Sequence, residues 1–266
     1  MTNKKDYFMT DFTVFSLTGV FILMVYLVAG TVDAVCGGGG LFTIPALMSI
    51  GLPAHMVVGT NQGCLILGNI TAIYKYGKGG KIDYKIAGAA LPFTLVGAFI
   101  GAQLNLLVPT RYLQIIMIVL LPLMAIVSFF KKEIGQENHP ELVSTKKRYI
   151  YAALIGLIIS IYHAFYGPAS GMFYIAAFCV ALKYDMVNAN GVSKVILLLA
   201  ATISMITYAR SGNVEWQIVM VGSITYILGN YIGATIALTK GAKVVKLAFY
   251  CMLIVLFIKL IFDLKQ

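Results

Sequence analysis

"DAVCGGGGLFTIP" (residues 33–45) sets four consecutive glycines between two strongly apolar stretches, with one aspartate just ahead of them. Glycine weakens a helix by roughly 1 kcal/mol per residue relative to alanine. The chain around this break is otherwise built for a membrane. Of its 266 residues, 60% are hydrophobic and 11% charged, and the mean hydropathy is +0.89. A soluble domain carries about 25% charged residues. Residues 34–74, 86–110, 112–130, 149–182 and 216–239 contain no Asp, Glu, Lys or Arg. A spanning helix needs about 20 such residues. The runs 34–74 and 149–182 are too long for one helix, so each holds more than one element. Apolar runs without period-2 alternation point to helices and away from an outer-membrane barrel. The expected class is an all-α, multi-pass protein of the cell membrane.

The net charge of +10 comes from short connections: Lys75, Lys78, Lys81 and Lys85, then Lys131, Lys132, Lys146, Lys147 and Arg148. This is the pattern of the positive-inside rule, and it argues against nucleic acid as a partner. A basic protein also concentrates anions near it. The four cysteines (Cys36, Cys64, Cys179, Cys251) lie in apolar segments and form no metal-binding spacing. No metal or cofactor is expected. Lys4 and Lys5 before an apolar stretch imitate a signal peptide, but the stretch reads as an uncleaved first helix.

An internal repeat underlies the chain. "GKIDY" (80–84) and "GNVEW" (212–216) are 132 residues apart, as are "GAFIGA" (97–102) and "GNYIGA" (229–234), and Tyr76 and Tyr208. At that offset Gly39 maps to Gly171 and Gln62 to Lys194. One offset linking polar loops and GxxxG pairs signals duplication, as in transporter folds. The expected units are a first transmembrane repeat (1–130), a polar connecting loop (131–148) and a second repeat (149–266). His139, in that loop, is expected to be exposed. The predicted helices are 12–35, 41–50, 56–75, 86–107 and 111–130, then 149–164, 170–182, 188–209, 216–238 and 244–263. Gly97/Gly101 and Gly229/Gly233 read as close-packing seams, and Pro92 and Pro122 as kinks. The short segments decide the topology. Residues 41–50 make a helix of about 15 Å, half the bilayer core. If both short segments re-enter, each half has four full spans, eight in all, and the repeats are parallel. If they cross, there are ten spans and the repeats are inverted. The expectation favours eight spans plus two re-entrant half-helices.

Irregular backbone at membrane depth is tolerated only where protein or water surrounds it. A helix that restarts there offers unpaired N–H groups and a positive dipole end, which attract an anion. Breaks at Gly37, Gly38, Gly39 and Gly40, and again at Gly167, Ser170 and Gly171, predict two half-helix N-termini facing one central cavity. Plain close packing is the alternative; one glycine would serve it, and four exceed it. Thr60, Asn61 and Gln62 open the third segment, and Asn190, Ser193 and Lys194 stand at the equivalent place. Lys194 either counters the anion or snorkels to the interface. Asn61 and Asn190 either donate to an oxyanion or cap their helices. Asp33, an intramembrane carboxylate, is a candidate for carrying a coupled proton, and His163 for titrating near neutral pH. His55 reads as interfacial.

"GTVDAVCGGGGLFTIPALMSIGLPAHMVVGTNQ" (30–62), "YGKGGKIDYKIA" (76–87), "GAFIGA" (97–102), "FYGPASGMF" and "RSGNVEW" resemble the TauE/SafE sulfite exporter family over nearly the whole chain. Ala169 and Ser170 stand where that family often has another glycine. The resemblance implies transport of sulfite, a sulfonate or a related organosulfur anion, usually export. The expected function is therefore a secondary, gradient-coupled transporter of a small anion, not an enzyme. Its partners are that anion, a coupled proton or ion, and the lipid bilayer. No P-loop is present for ATP hydrolysis. The alternatives are a passive anion channel and, from Ser170 with His163 nearby, an intramembrane serine hydrolase.

Overall fold

The computed structural model describes residues 16–110, 112, 135 and 137–263. Its helices are α1 (Leu17–Cys36), α2 (Gly40–Ser49), α3 (Ala54–Lys78), α4 (Tyr84–Leu107), α5 (Thr145–Phe165), α6 (Ser170–Leu182), α7 (Met186–Arg210) and α8 (Trp216–Asp263). No strand occurs among the described residues. The predicted helix 111–130, with Pro122, and the residues Lys4 and Lys5 lie outside them. Gly241, with φ 69°, interrupts α8 near where the predicted helix 216–238 gives way to the next. Six helices among the described residues are long and apolar enough to cross a membrane: α1, α3, α4, α5, α7 and the part of α8 up to Gly241. The chain is thus a multi-pass helical membrane protein.

Side-chain size sorts the faces. On α4, Ala90, Gly97, Ala98, Gly101 and Ala102 are buried, while Phe93, Val96, Phe99 and Leu104 are exposed. Small residues allow close helix contact where water-driven burial is absent, and large ones meet lipid. A Cβ on Gly97 would lie 2.4 Å from the Leu157 carbonyl oxygen, and one on Gly101 2.2 Å from that of Ile161, so α4 lies directly on α5. Likewise a Cβ on Gly229 would run into the Leu27 carbonyl oxygen and one on Gly233 into that of Thr31, which seats α8 on α1. Pro92 sits inside α4. Carboxylates start two other helices: Asp83 accepts from the Lys85 and Ile86 amides, and Asp185 from those of Val187 and Asn188.

Both short helices turn back. Tyr174 on α6 meets Ser160 on α5 at 2.6 Å, and Tyr184, just past α6, accepts from Arg148 in the first turn of α5 at 3.0 Å. The α6 helix therefore retraces α5. A Cβ on Gly39 would lie 2.7 Å from both the Ala29 carbonyl oxygen and the Asp33 Cβ, so the chain doubles back along α1 as well. Ile44 and Leu47 of α2 then share a core with Ile22 and Tyr26 near the start of α1.

Contacts also define the two ends. At one, Arg148 bridges Asp83 (2.8 Å) and Tyr184, whose hydroxyl also donates to Asp83 at 2.7 Å. Gly79 abuts Leu238 there, and Lys75 stacks on Tyr231. That end gathers Lys75, Lys78, Lys81, Lys85, Lys146, Lys147, Lys183 and Lys240. At the other, the α7–α8 turn packs on the start of α3: the Glu215 amide donates to Thr60 Oγ1 at 2.9 Å. Eight crossings with parallel repeats would put Lys240 at the end opposite Lys75; the Gly79–Leu238 and Lys75–Tyr231 contacts put the two at the same end. His139 is exposed, between Glu137 and Glu141.

Candidate functional site

A helix that ends inside a membrane leaves its last carbonyls without intrahelical partners. Here α1 stops at Cys36 and α5 at Phe165, and side chains from other helices cover what they leave. At the first break Lys194 Nζ donates to the Asp33 carbonyl oxygen at 2.7 Å, and Tyr76 Oη to that of Ala34 at 2.7 Å. Asn190 Nδ2 donates to Ala34 O at 2.7 Å and Val35 O at 3.0 Å. At the second, Gln62 Nε2 donates to His163 O at 3.0 Å, Tyr208 Oη to Ala164 O at 2.8 Å and Asn105 Nδ2 to Phe165 O at 2.6 Å. Gln62 and Lys194, and Tyr76 and Tyr208, are the pairs that stand 132 residues apart.

The first break is charged. Lys194 Nζ also meets Asp33 Oδ2 at 2.6 Å, and both side chains are buried. Lys194 thus neither snorkels to an interface nor stands as a lone cation; its charge is held by Asp33. The second break has no lysine, arginine or carboxylate. His163 Nδ1 and Ser170 Oγ are 2.7 Å apart, with the donor set by the ring tautomer. Nε2 of His163 and Oε1 of Gln62 are buried without a hydrogen-bond partner among the described residues. Buried polar atoms left unpaired are uncommon and costly.

The two breaks meet. A Cβ on Gly37 would fall 2.4 Å from the backbone carbon of Gly171, and Gly40 faces Pro168 at 3.1 Å. Gly37 (φ 77°) and Gly167 (φ 101°) adopt backbone that other residues rarely take. Three of the four glycines, Gly37, Gly39 and Gly40, therefore have close packing as a reason; the expectation that four glycines exceed what packing requires is corrected here. Gly38 is buried between them. Among the described residues no acceptor meets the amides of Gly38, Gly39 and Gly40 at the start of α2, or of Ala169, Gly171 and Met172 at the start of α6.

Of the other candidates, Asn61 Oδ1 accepts from Thr43 at 2.6 Å, tying α3 to α2. Ser193 bonds back to Asn190 O within α7, and Thr60 serves the α7–α8 turn; both stand apart from the breaks. Asn190 caps a helix, but across space and not its own. His55 meets Asn105 at 2.9 Å. Sequence reasoning missed Thr43, Tyr76, Tyr208 and Asn105 as site residues; the matched tyrosines were the available signal. Ser170 and His163 do touch, as a hydrolase requires, yet nothing among the described residues holds Nε2 to orient the ring as a base.

The family model of the sulfite exporter TauE/SafE matches residues 22–260. The chain belongs to the TauE/SafE sulfite exporter family. Similar members include the probable membrane transporter protein ORF9 of Sinorhizobium sp, 27% identical over 91% of this chain and 92% of its own. The probable membrane transporter protein YfcA of Escherichia coli is 27% identical over 93% of this chain and 90% of its own. A probable membrane transporter protein of Haemophilus influenzae is 24% identical over 89% and 91%. No solved structure matches the chain. As a TauE/SafE member the protein is a membrane transporter.

Proposed function

We propose that the chain is a secondary transporter that exports a small sulfur oxyanion, sulfite or a sulfonate, and holds it at the paired helix breaks. The observation that carries this reading is the convergence of two interrupted helices whose first amides have no acceptor, beside the unpartnered Nε2 of His163. Helix N-termini aimed at one place suit an anion. Lys194 supplies the only buried lysine charge among the described residues. The family's name supports the sulfur chemistry.

The halves 1–130 and 149–266, joined by 131–148, are read as an inverted duplication. A Cβ on Gly59 would run into the Asn213 carbonyl oxygen at one end, and one on Gly191 into that of Lys81 at the other, with both partners 132 residues apart. By the positive-inside rule the lysine-rich end faces the cytoplasm. The site residues are Gly37 to Gly40, Gln62, His163, Gly167, Ser170, Gly171 and Lys194, with Asn61 and Asn190 holding the frame. Export is gradient-driven.

The test is flux. Proteoliposomes of the full chain loaded with sulfite are expected to release it, and methanesulfonate to compete. His163→Leu keeps the volume, removes Nε2 and is expected to cut flux about tenfold or more. Absence of sulfite and methanesulfonate flux in the unaltered protein overturns the reading.

A further inference from the structure

Lys194 is 0% exposed, and Asp33 presents it with two oxygens, the carboxylate Oδ2 at 2.6 Å and its own carbonyl at 2.7 Å. An oxyanion would offer an ammonium the same chemistry. The pair as it stands is neutral. An added anion makes the buried site net negative, and a low-dielectric interior does not hold an uncompensated charge. The counterpart of Lys194 in the other half is Gln62, and the counterpart contact is to a neutral carbonyl, so no second cation is at hand.

We propose that the Asp33 carboxylate is an internal stand-in for the transported anion. The substrate displaces it from Lys194, and Asp33 takes up one proton as it leaves. The proposal rests on the site reading above and makes its coupling specific. Before binding, the site holds one ammonium and one carboxylate. Afterwards it holds the ammonium, the substrate as a monoanion (a sulfonate or hydrogensulfite) and a neutral carboxylic acid. The proton comes from solution, no covalent bond to the substrate forms, and the site stays neutral throughout. One proton accompanies each anion and leaves Asp33 on the far side as the ion pair with Lys194 re-forms, so export runs down the anion's own outward gradient and an inward proton gradient resists it.

Other titratable groups face Asp33 from the helices around it. Tyr226 on α8 places its hydroxyl 2.7 Å from the Cβ position of Gly39, as Asp33 Cβ is. Tyr76 on α3 serves the next carbonyl along, and His163 on α5 stands at the other break, hydrogen-bonded to Ser170. The α2 helix carries no titratable residue, and Tyr174 on α6 is engaged with Ser160. Of these groups the tyrosines are neutral near pH 7, so His163 is the one competitor for the proton.

Calorimetric titration of the full chain with methanesulfonate, which does not titrate near neutral pH, separates these cases when run in two buffers of unequal ionisation enthalpy. The unaltered protein is expected to take up about one proton per anion bound. Asp33→Asn is expected to bind the anion with no proton uptake, and its flux in proteoliposomes to ignore a pH gradient. The double variant Asp33→Asn/Lys194→Gln, which leaves no charge unpaired, is expected to bind about a hundredfold more weakly. Binding without proton uptake in the unaltered protein overturns the proposal. So does uptake that survives Asp33→Asn and vanishes in His163→Gln. Absence of any anion binding overturns the site reading itself, which keeps the two failures apart.

Discussion

The two helix breaks face one problem and answer it differently. Each must cover the carbonyl oxygens at the end of a helix that stops inside the protein, three at the second break and two at the first, where the Gly37 amide already donates to Asp33 O. The first uses an ammonium, an asparagine and a tyrosine; the second a glutamine, a tyrosine and another asparagine. The tyrosines correspond, and the lysine and glutamine correspond, but only the lysine brings charge and only it brings a carboxylate with it. Covering the backbone therefore does not require the ion pair. Gln62 does the same hydrogen bonding without one, so the charge at the first break is left to be explained by what the site does.

Substitutions test this contrast. The largest effect is expected from Lys194→Met, which strands Asp33 in the interior and should cost about 3–5 kcal/mol of stability. Unfolding in detergent reads it out, and adding Asp33→Asn should recover most of the loss. Next comes the glycine pair. Gly167→Ala meets nothing closer than the His163 carbonyl oxygen at 3.3 Å, with Gln62 Nε2 at an ordinary 3.7 Å, so its cost is the strain of its backbone, about 1–3 kcal/mol. Gly37→Ala carries comparable strain and also strikes Gly171 at 2.4 Å, and should lower the melting temperature further. Equal losses at the two glycines would show that the turns can part without harm. Gln62→Leu bares the His163 carbonyl and should cost about 1–3 kcal/mol, less than Lys194→Met. A loss as large as that of the lysine would erase the distinction drawn between the breaks. The smallest effects belong to the tyrosines. Tyr208→Phe should cost about 1 kcal/mol. Tyr76→Phe should cost less, because Asn190 still reaches Ala34 O at 2.7 Å. The reverse order in melting temperatures would break the comparison at its most local point.

Much of this was legible in the chain. Long uncharged runs fix helices in lipid, and a glycine run inside one of them fixes a break, because both follow from local composition. The offset of 132 named the partners Gln62 and Lys194 before any contact was known. What stayed hidden was contact between distant residues. Asp33 and Lys194 each stood out as an apolar segment's lone charge, but their pairing spans 161 residues and no spacing rule reaches that far. The glycines misled in the other direction. Their number suggested an open binding surface, whereas backbone from α6 and α1 fills the space beside Gly37 and Gly39. Nor does a short helix declare whether it continues or returns; that depends on Tyr184 finding Arg148, and on Gly39 settling beside Ala29.

The seating of α1 on α8 has a consequence for biogenesis. The first of these helices to leave the ribosome rests chiefly against the last, so it enters the bilayer with its glycine-facing carbonyls and small residues uncovered for most of synthesis. Release of the chain short of Gly229 and Gly233 leaves α1 without its counterpart, and such fragments are natural substrates for membrane quality control. The assembly closes like a clasp only when the stretch holding Gly229 and Gly233 arrives.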